Sequence, residues 1–121
     1  MPCNLVGKTA HLWIAVFTVD SDGKILIVNL TARRAHSDLT VEFIVNDHPF
    51  IKQQTVVNFG DAMLVDQEHL KRAFQVGIAQ TRPPCSQIML DKIQAGFLKS
   101  PHTKKLIYEY ATAHFGDPDV P

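Results

Sequence analysis

The sequence predicts an α+β fold in which strands come first and helices second. Up to about Asp66 the apolar residues are β-branched or aromatic and closely spaced, whereas beyond it they recur every three or four residues. Turn-forming residues punctuate the first half at strand-length intervals, notably Asp22-Gly23, the segment NDHP at 46–49, and Gly60-Asp61. A chain of 121 residues, 45% of them hydrophobic and 20% charged, is long enough to bury a core of its own. No internal repeat, heptad array or low-complexity linker divides it. One domain is therefore expected over 1–121, with strands over about 10–66, a helical part packed on them over about 67–115, and a loose tail at 116–121.

About five strands are expected. The run HLWIAVFTV at 11–19 is too continuously apolar for a one-sided strand, so both its faces should be covered, as in a small barrel or a sheet carrying a helix or a partner. Asp22-Gly23 then favours a tight hairpin, because glycine accepts the positive φ such turns need. The return strand KILIVNLT ends at Thr31, and the polar stretch ARRAHSD at 32–38 is a loop. In the third strand, LTVEFIV, Val41 and Phe43 fall on one face and Glu42 and Ile44 on the other, and NDHP ends it. QTVVNF at 54–59 and AMLV at 62–65 complete the set, separated at Gly60-Asp61 by a turn or a bulge. Trp13, Phe17, Phe43 and Phe59, set in apolar strands, are expected in the core.

Two to three helices follow. Asp66 is suited to cap a short helix over 67–74. From Pro84, the residues Ile88, Met89, Ile93, Phe97 and Leu98 make a helical stripe, and Lys99 complements the dipole at its end. Ser100-Pro101 reads as an N-cap followed by proline in the first turn, opening a last helix through about His114 that Gly116 terminates. Leu106 and Tyr110 are expected to be exposed on it.

Twelve basic residues balance twelve acidic ones, so no long-range positive field gathers phosphates, and any nucleic-acid contact must be local. No apolar run is long enough for a membrane span, and 1–10 lacks the pattern of a signal peptide. A cytoplasmic protein is expected, with Cys3 and Cys85 as thiols. The six histidines show no metal-ligand spacing, and no phosphate loop or nucleophile elbow is present, so neither a metal nor another cofactor is expected.

Arg33 and Arg34 sit in a polar loop just after Thr31, where guanidinium forks can bind a phosphate bidentately, with Asp38 close enough in sequence to neutralise one of them. His11 opens the first long strand and His48 stands at a strand break; imidazoles exchange protons near neutral pH. The hairpin brings His11 and Thr31 close to opposition.

The order of these pieces resembles the MazF/PemK-like toxins. HLWIAVF is similar to the family strand that follows its Arg-Pro, KILIVNLT to the next strand ending in Pro-x-Thr, TVEFIV to the one after, and QTVVNFGDAMLVD to the Ser-Val-Val to Ala-Asp-Gln segment. About 55 to 60 residues are covered, and the final helix from Pro101 is an addition. The resemblance implies an SH3-like antiparallel barrel of about five strands, a homodimer, an antitoxin partner, and metal-independent cleavage of single-stranded RNA by a threonine and an arginine. Thr31 matches the threonine; at the position of the arginine stands His11. On this basis His11 and Thr31 are the catalytic candidates, and Arg33, Arg34 and His48 the phosphate-binding ones, with His48 also a second acid. The competing expectation is a non-catalytic interaction module on the same barrel, using a sheet edge or a helix face.

Overall fold

A computed structural model describes residues 4–6, 12–16, 22–49, 51–75, 80–81 and 85–115. Among them the order is β1 (Asn4–Val6), β2 (Leu12–Ala15), β3 (Lys24–Ala32), β4 (Glu42–Phe43), β5 (Thr55–Asp66), α1 (Gln67–Gln75), β6 (Gln80–Thr81), α2 (Gln87–Phe97) and α3 (Lys105–Phe115). The strands pair antiparallel in one sheet, β4-β5-β3-β2-β1-β6, so the fold is α+β. Phe17, Cys3 and the tail at 116–121 lie outside the described residues.

The continuous apolar character of β2 has its expected cause, since both sheet faces are covered, and the same holds for β3. Leu12, Ile14, Leu26, Val28 and Leu30 point into the main core with Val57, Phe59 and residues of α2 and α3. Ala15, Ile25 and Ile27 form a second cluster with Trp13, Val65 and Leu70 of α1. The register of the hairpin differs from the one expected. A two-residue turn centred on Asp22-Gly23 would set Ala15 opposite Leu30, but Ala15 pairs with Ile27 and Leu12 with Leu30. Gly23 instead uses its φ of +75° to start β3 beside the end of β5, where its carbonyl accepts from Gln67 N–H at 2.9 Å.

The two short strands expected over 54–65 are one strand, β5, with a bulge where Gly60-Asp61 marks it. Ile27 pairs with Met63 and Asn29 with Asn58, so residues 59–62 stand against Val28 alone. Asn58 Nδ2 donates to Asp61 Oδ2 across the bulge at 2.9 Å. The third strand has the expected sidedness, Val41 and Phe43 buried and Glu42 and Ile44 exposed, but shrinks to β4. Side chains take the backbone groups that would extend it: Asp38 accepts from Thr40 N–H at 3.0 Å and Asp47 from Ile44 N–H at 2.7 Å.

At the sheet's other end, Lys24 Nζ lies 2.6 Å from Asp66 Oδ1, and this hydrogen bond and charge hold the carboxyl below its usual range. In α2, Ser86 caps the helix by accepting from Met89 N–H at 3.1 Å, and Met89, Ile93, Gly96 and Phe97 are buried. Ile88, expected on that stripe, is 68% exposed because it falls one residue, about 100°, off the buried line. The last helix starts at Lys105, later than expected, because Ser100 Oγ caps only a turn through His102 N–H at 3.1 Å. On α3, Leu106 is exposed as expected, whereas Tyr110 is half-buried against the core.

At Gly96 the helix lies tight against the sheet. A Cβ built there would overlap Phe59 Cζ and stand 2.7 Å from Val41 Cγ2, while Phe59 and Phe97 meet edge to face at 4.9 Å. Gly96→Ala should therefore cost about 1–3 kcal/mol through overpacking and lower the melting temperature by several degrees. Gly60→Ala, whose nearest neighbours are at 3.7 Å, should change it much less. Equal thermal melts for the two variants would contradict this packing.

Candidate functional site

A cleft of about 490 Å³ opens beside the β5 bulge, lined by the end of β3, the loop at 34–38, residues 56–60 of β5, and the turn that joins α2 to α3. Thr31 enters from β3, Arg34 and His36 from the loop, Asn58 and Gly60 from β5, and His102 from the turn. Each piece has a local reason to be there. The loop closes on itself, because Arg34 N–H donates to Ser37 Oγ at 2.7 Å and Ser37 N–H returns to Arg34 O at 3.2 Å. The turn packs over Gly60, where a built Cβ would make only ordinary contacts, 3.7 Å from the Cβ and the carbonyl oxygen of His102.

Asp38 ties the two walls together. Its Oδ1 accepts from the Thr40 hydroxyl at 2.6 Å and the Thr40 N–H at 3.0 Å, and its Oδ2 accepts from Ser100 Oγ at 2.5 Å. Ser100, itself buried, accepts in turn from His102 N–H. Burial pushes the Asp38 carboxyl up, but the bonds from Ser100 and Thr40, together with nearby His102, outweigh it and hold the group below the ordinary carboxylate range.

The two arginines part company. Arg33 turns away, its guanidinium 3.3 Å from Glu42, whose Oε1 also accepts from Gln54 at 3.2 Å, and its backbone N–H donates to Gln54 O at 3.0 Å. Arg34 lines the cleft, and no described carboxylate lies within ion-pair distance of it. Asp38 therefore neutralises neither arginine; its oxygens are committed to Ser100 and Thr40. Thr31 and Arg34 are thus brought together, Arg33 is not, and His48 is buried at 2% exposure away from the cleft lining. His11 lies outside the described residues.

Sequence reasoning missed His36, Asn58 and His102 as cleft residues. His36 was within reach, standing two residues after Arg34 in one polar loop. His102 had no signal, since it arrives from a turn whose position depends on how α2 packs. Arg34 and the two imidazoles supply donors for an anion, Thr31 and Asn58 supply neutral hydrogen-bonding groups, and the imidazoles can also carry protons.

Among the described residues no group of three His, Cys, Asp or Glu side chains is placed to hold a metal ion, and no helix is long and apolar enough to cross a membrane. The chain matches no protein-family model, no curated protein and no solved structure.

Ser100→Ala removes the bond between the cleft walls and should cost about 1 kcal/mol, the low end for a bond to a half-exposed carboxylate. Because the Asp38 pKa is depressed by folding, its contribution is complete above the unfolded-state value of about 4 and disappears as pH falls through the lower folded value. Denaturant titrations between about pH 2 and pH 5 should therefore show a steeper acid loss for the native chain than for Asp38→Asn. Parallel curves would refute the link.

Proposed function

We propose that the protein is a metal-independent endoribonuclease that acts on single-stranded RNA in this cleft, a divergent relative of the MazF/PemK-like toxins, which its order of sequence segments resembles. The single observation that carries this reading is the convergence of Arg34, His36, His102 and Thr31 on one open cleft. The sheet is then a divergent SH3-like barrel in which the added final helix and the turn before it complete the site.

The chemistry follows from those side chains. One imidazole takes the proton of a ribose 2′-hydroxyl, and the oxygen attacks the adjacent phosphorus. The bond to the 5′-oxygen breaks as the second imidazole protonates that leaving oxygen. A 2′,3′-cyclic phosphate and a 5′-hydroxyl result. Arg34 compensates the charge that develops on the phosphoryl oxygens, and Thr31 and Asn58 orient them. Proton transfer is assigned to His36 and His102 because they line the cleft, and Arg34 takes the role of phosphate ligand because Arg33 is held by Glu42.

The test is cleavage of a single-stranded RNA in excess chelator at low salt. The native protein should leave cyclic phosphate ends. His36→Ala and His102→Ala should each slow cleavage by roughly 10²–10⁴-fold while melting normally, as expected for loss of a general acid or base. Arg34→Ala should weaken RNA binding and flatten its salt dependence. Full activity in both histidine variants would exclude this site, and no cleavage by folded native protein would exclude the activity.

A further inference from the structure

A second surface, separate from the cleft, has the make-up of a peptide-binding edge. The sheet ends at β4, whose pairs with β5 are Glu42 with Val56 and Phe43 with Thr55, and Val57 N–H donates to Val41 O at 3.1 Å. In an antiparallel ladder, bonded and non-bonded pairs alternate, so the backbone groups of Val41 and Phe43 face β5 and those of Glu42 face outward. No described strand pairs with that side.

Along this edge runs a groove of about 410 Å³. One wall is residues 39–42, and the other is Lys92, Ala95 and Gly96 of α2 with Lys99 just past its end. Leu39, Ile44 and Val45, flanking β4, are 48%, 61% and 46% exposed, a cluster of bare aliphatics beside the edge. The charge is one-sided: the Glu42 carboxylate is engaged by Arg33 and Gln54, whereas Lys92 and Lys99 make no ion pair among the described residues.

We infer that this groove binds an acidic, aliphatic, extended segment of another protein, added as a strand alongside β4. Backbone bonds to Glu42 set its register, carboxylates meet Lys92 and Lys99, and aliphatic side chains cover Leu39, Ile44 and Val45. A second copy of this chain fits less well, because two-fold pairing of β4 with β4 would bring two lysine pairs together. A nucleic acid would use the lysines but neither the outward amide of Glu42 nor the aliphatic flanks. This surface is independent of the cleft and of the nuclease reading.

The test uses a fluorescent seven-residue peptide of alternating valine and glutamate, whose pleat places all carboxylates on one face. Anisotropy should report saturable binding at micromolar concentration, with amide NMR shifts centred on residues 39–45 and 92–99. A charge-reversed Lys92→Glu, Lys99→Glu variant should bind at least about tenfold more weakly, as should the native protein at high salt. A peptide N-methylated at alternate residues, which leaves the protein untouched, should not bind. The inference is overturned by absence of binding, by equal binding of the N-methylated peptide or of a valine-lysine peptide, or by an RNA oligomer that gives the same amide shifts. Concentration-dependent dimerisation that shifts those amides without peptide would overturn it in favour of a second copy.

Discussion

Strand β5 has to serve two partners and two sheet faces, and the rest of the structure depends on how its register is broken. Residues 55–58 pair with the end of β3, and 55–56 also pair with β4, while 63–66 pair with the start of β3. Between these stretches the four residues 59–62 stand against Val28. This excess turns the strand locally, as bulges do, and allows one continuous strand to reach both the edge at β4 and the entry to α1. It also places Asn58 and Gly60 in the cleft wall and Phe59 in the core.

The core then positions the site through α2. Gly96 seats the helix against Phe59 and Val41, and Phe97 continues the stack from Phe59 to Phe115, at 4.9 Å and 6.0 Å between ring centres. Where α2 ends is thereby set, and with it the turn carrying Ser100 and His102. The turn is docked by a hydrogen bond to a carboxylate rather than by further apolar burial. Such a bond is worth a modest net amount yet is strongly directional, which suits a joint between two loops that must meet in one geometry.

A chain with zero formal charge can still hold unpaired positive groups at particular places, and three of its described basic residues are matched by carboxylates. Lys24 is matched by Asp66, Arg33 by Glu42, and Lys71 by Glu68. Arg34 in the cleft and Lys92 and Lys99 along the β4 groove make no ion pair among the described residues, as is also true of Lys52, Arg72, Lys104 and Lys105. The two surfaces differ in what accompanies the charge: imidazoles and hydroxyl-bearing side chains in one, a bare strand edge and aliphatics in the other. The setting of each unpaired cation, more than net charge, decides what an anionic ligand meets there.

Sequence patterning by itself determined the strand-rich first half and helix-rich second half, the covered faces of β2, the sidedness around β4, the break at Gly60-Asp61 and most of the buried line of α2, because each depends on local periodicity and turn chemistry; β1, and β6 after α1, fall outside the strand region expected over about 10–66. That Thr31 and Arg34 stand near one another was legible for the same reason, a polar loop directly after a strand end, and both line the candidate cleft. Only tertiary structure decided the rest. It separated Arg33 from Arg34 by offering one of them Glu42, buried His48, shortened β4 through Asp38 and Asp47, and brought His102 to His36 across more than half the chain. Those outcomes depend on partners distant in sequence, and a one-dimensional pattern carries no information about which of several nearby carboxylates or hydroxyls a side chain will meet.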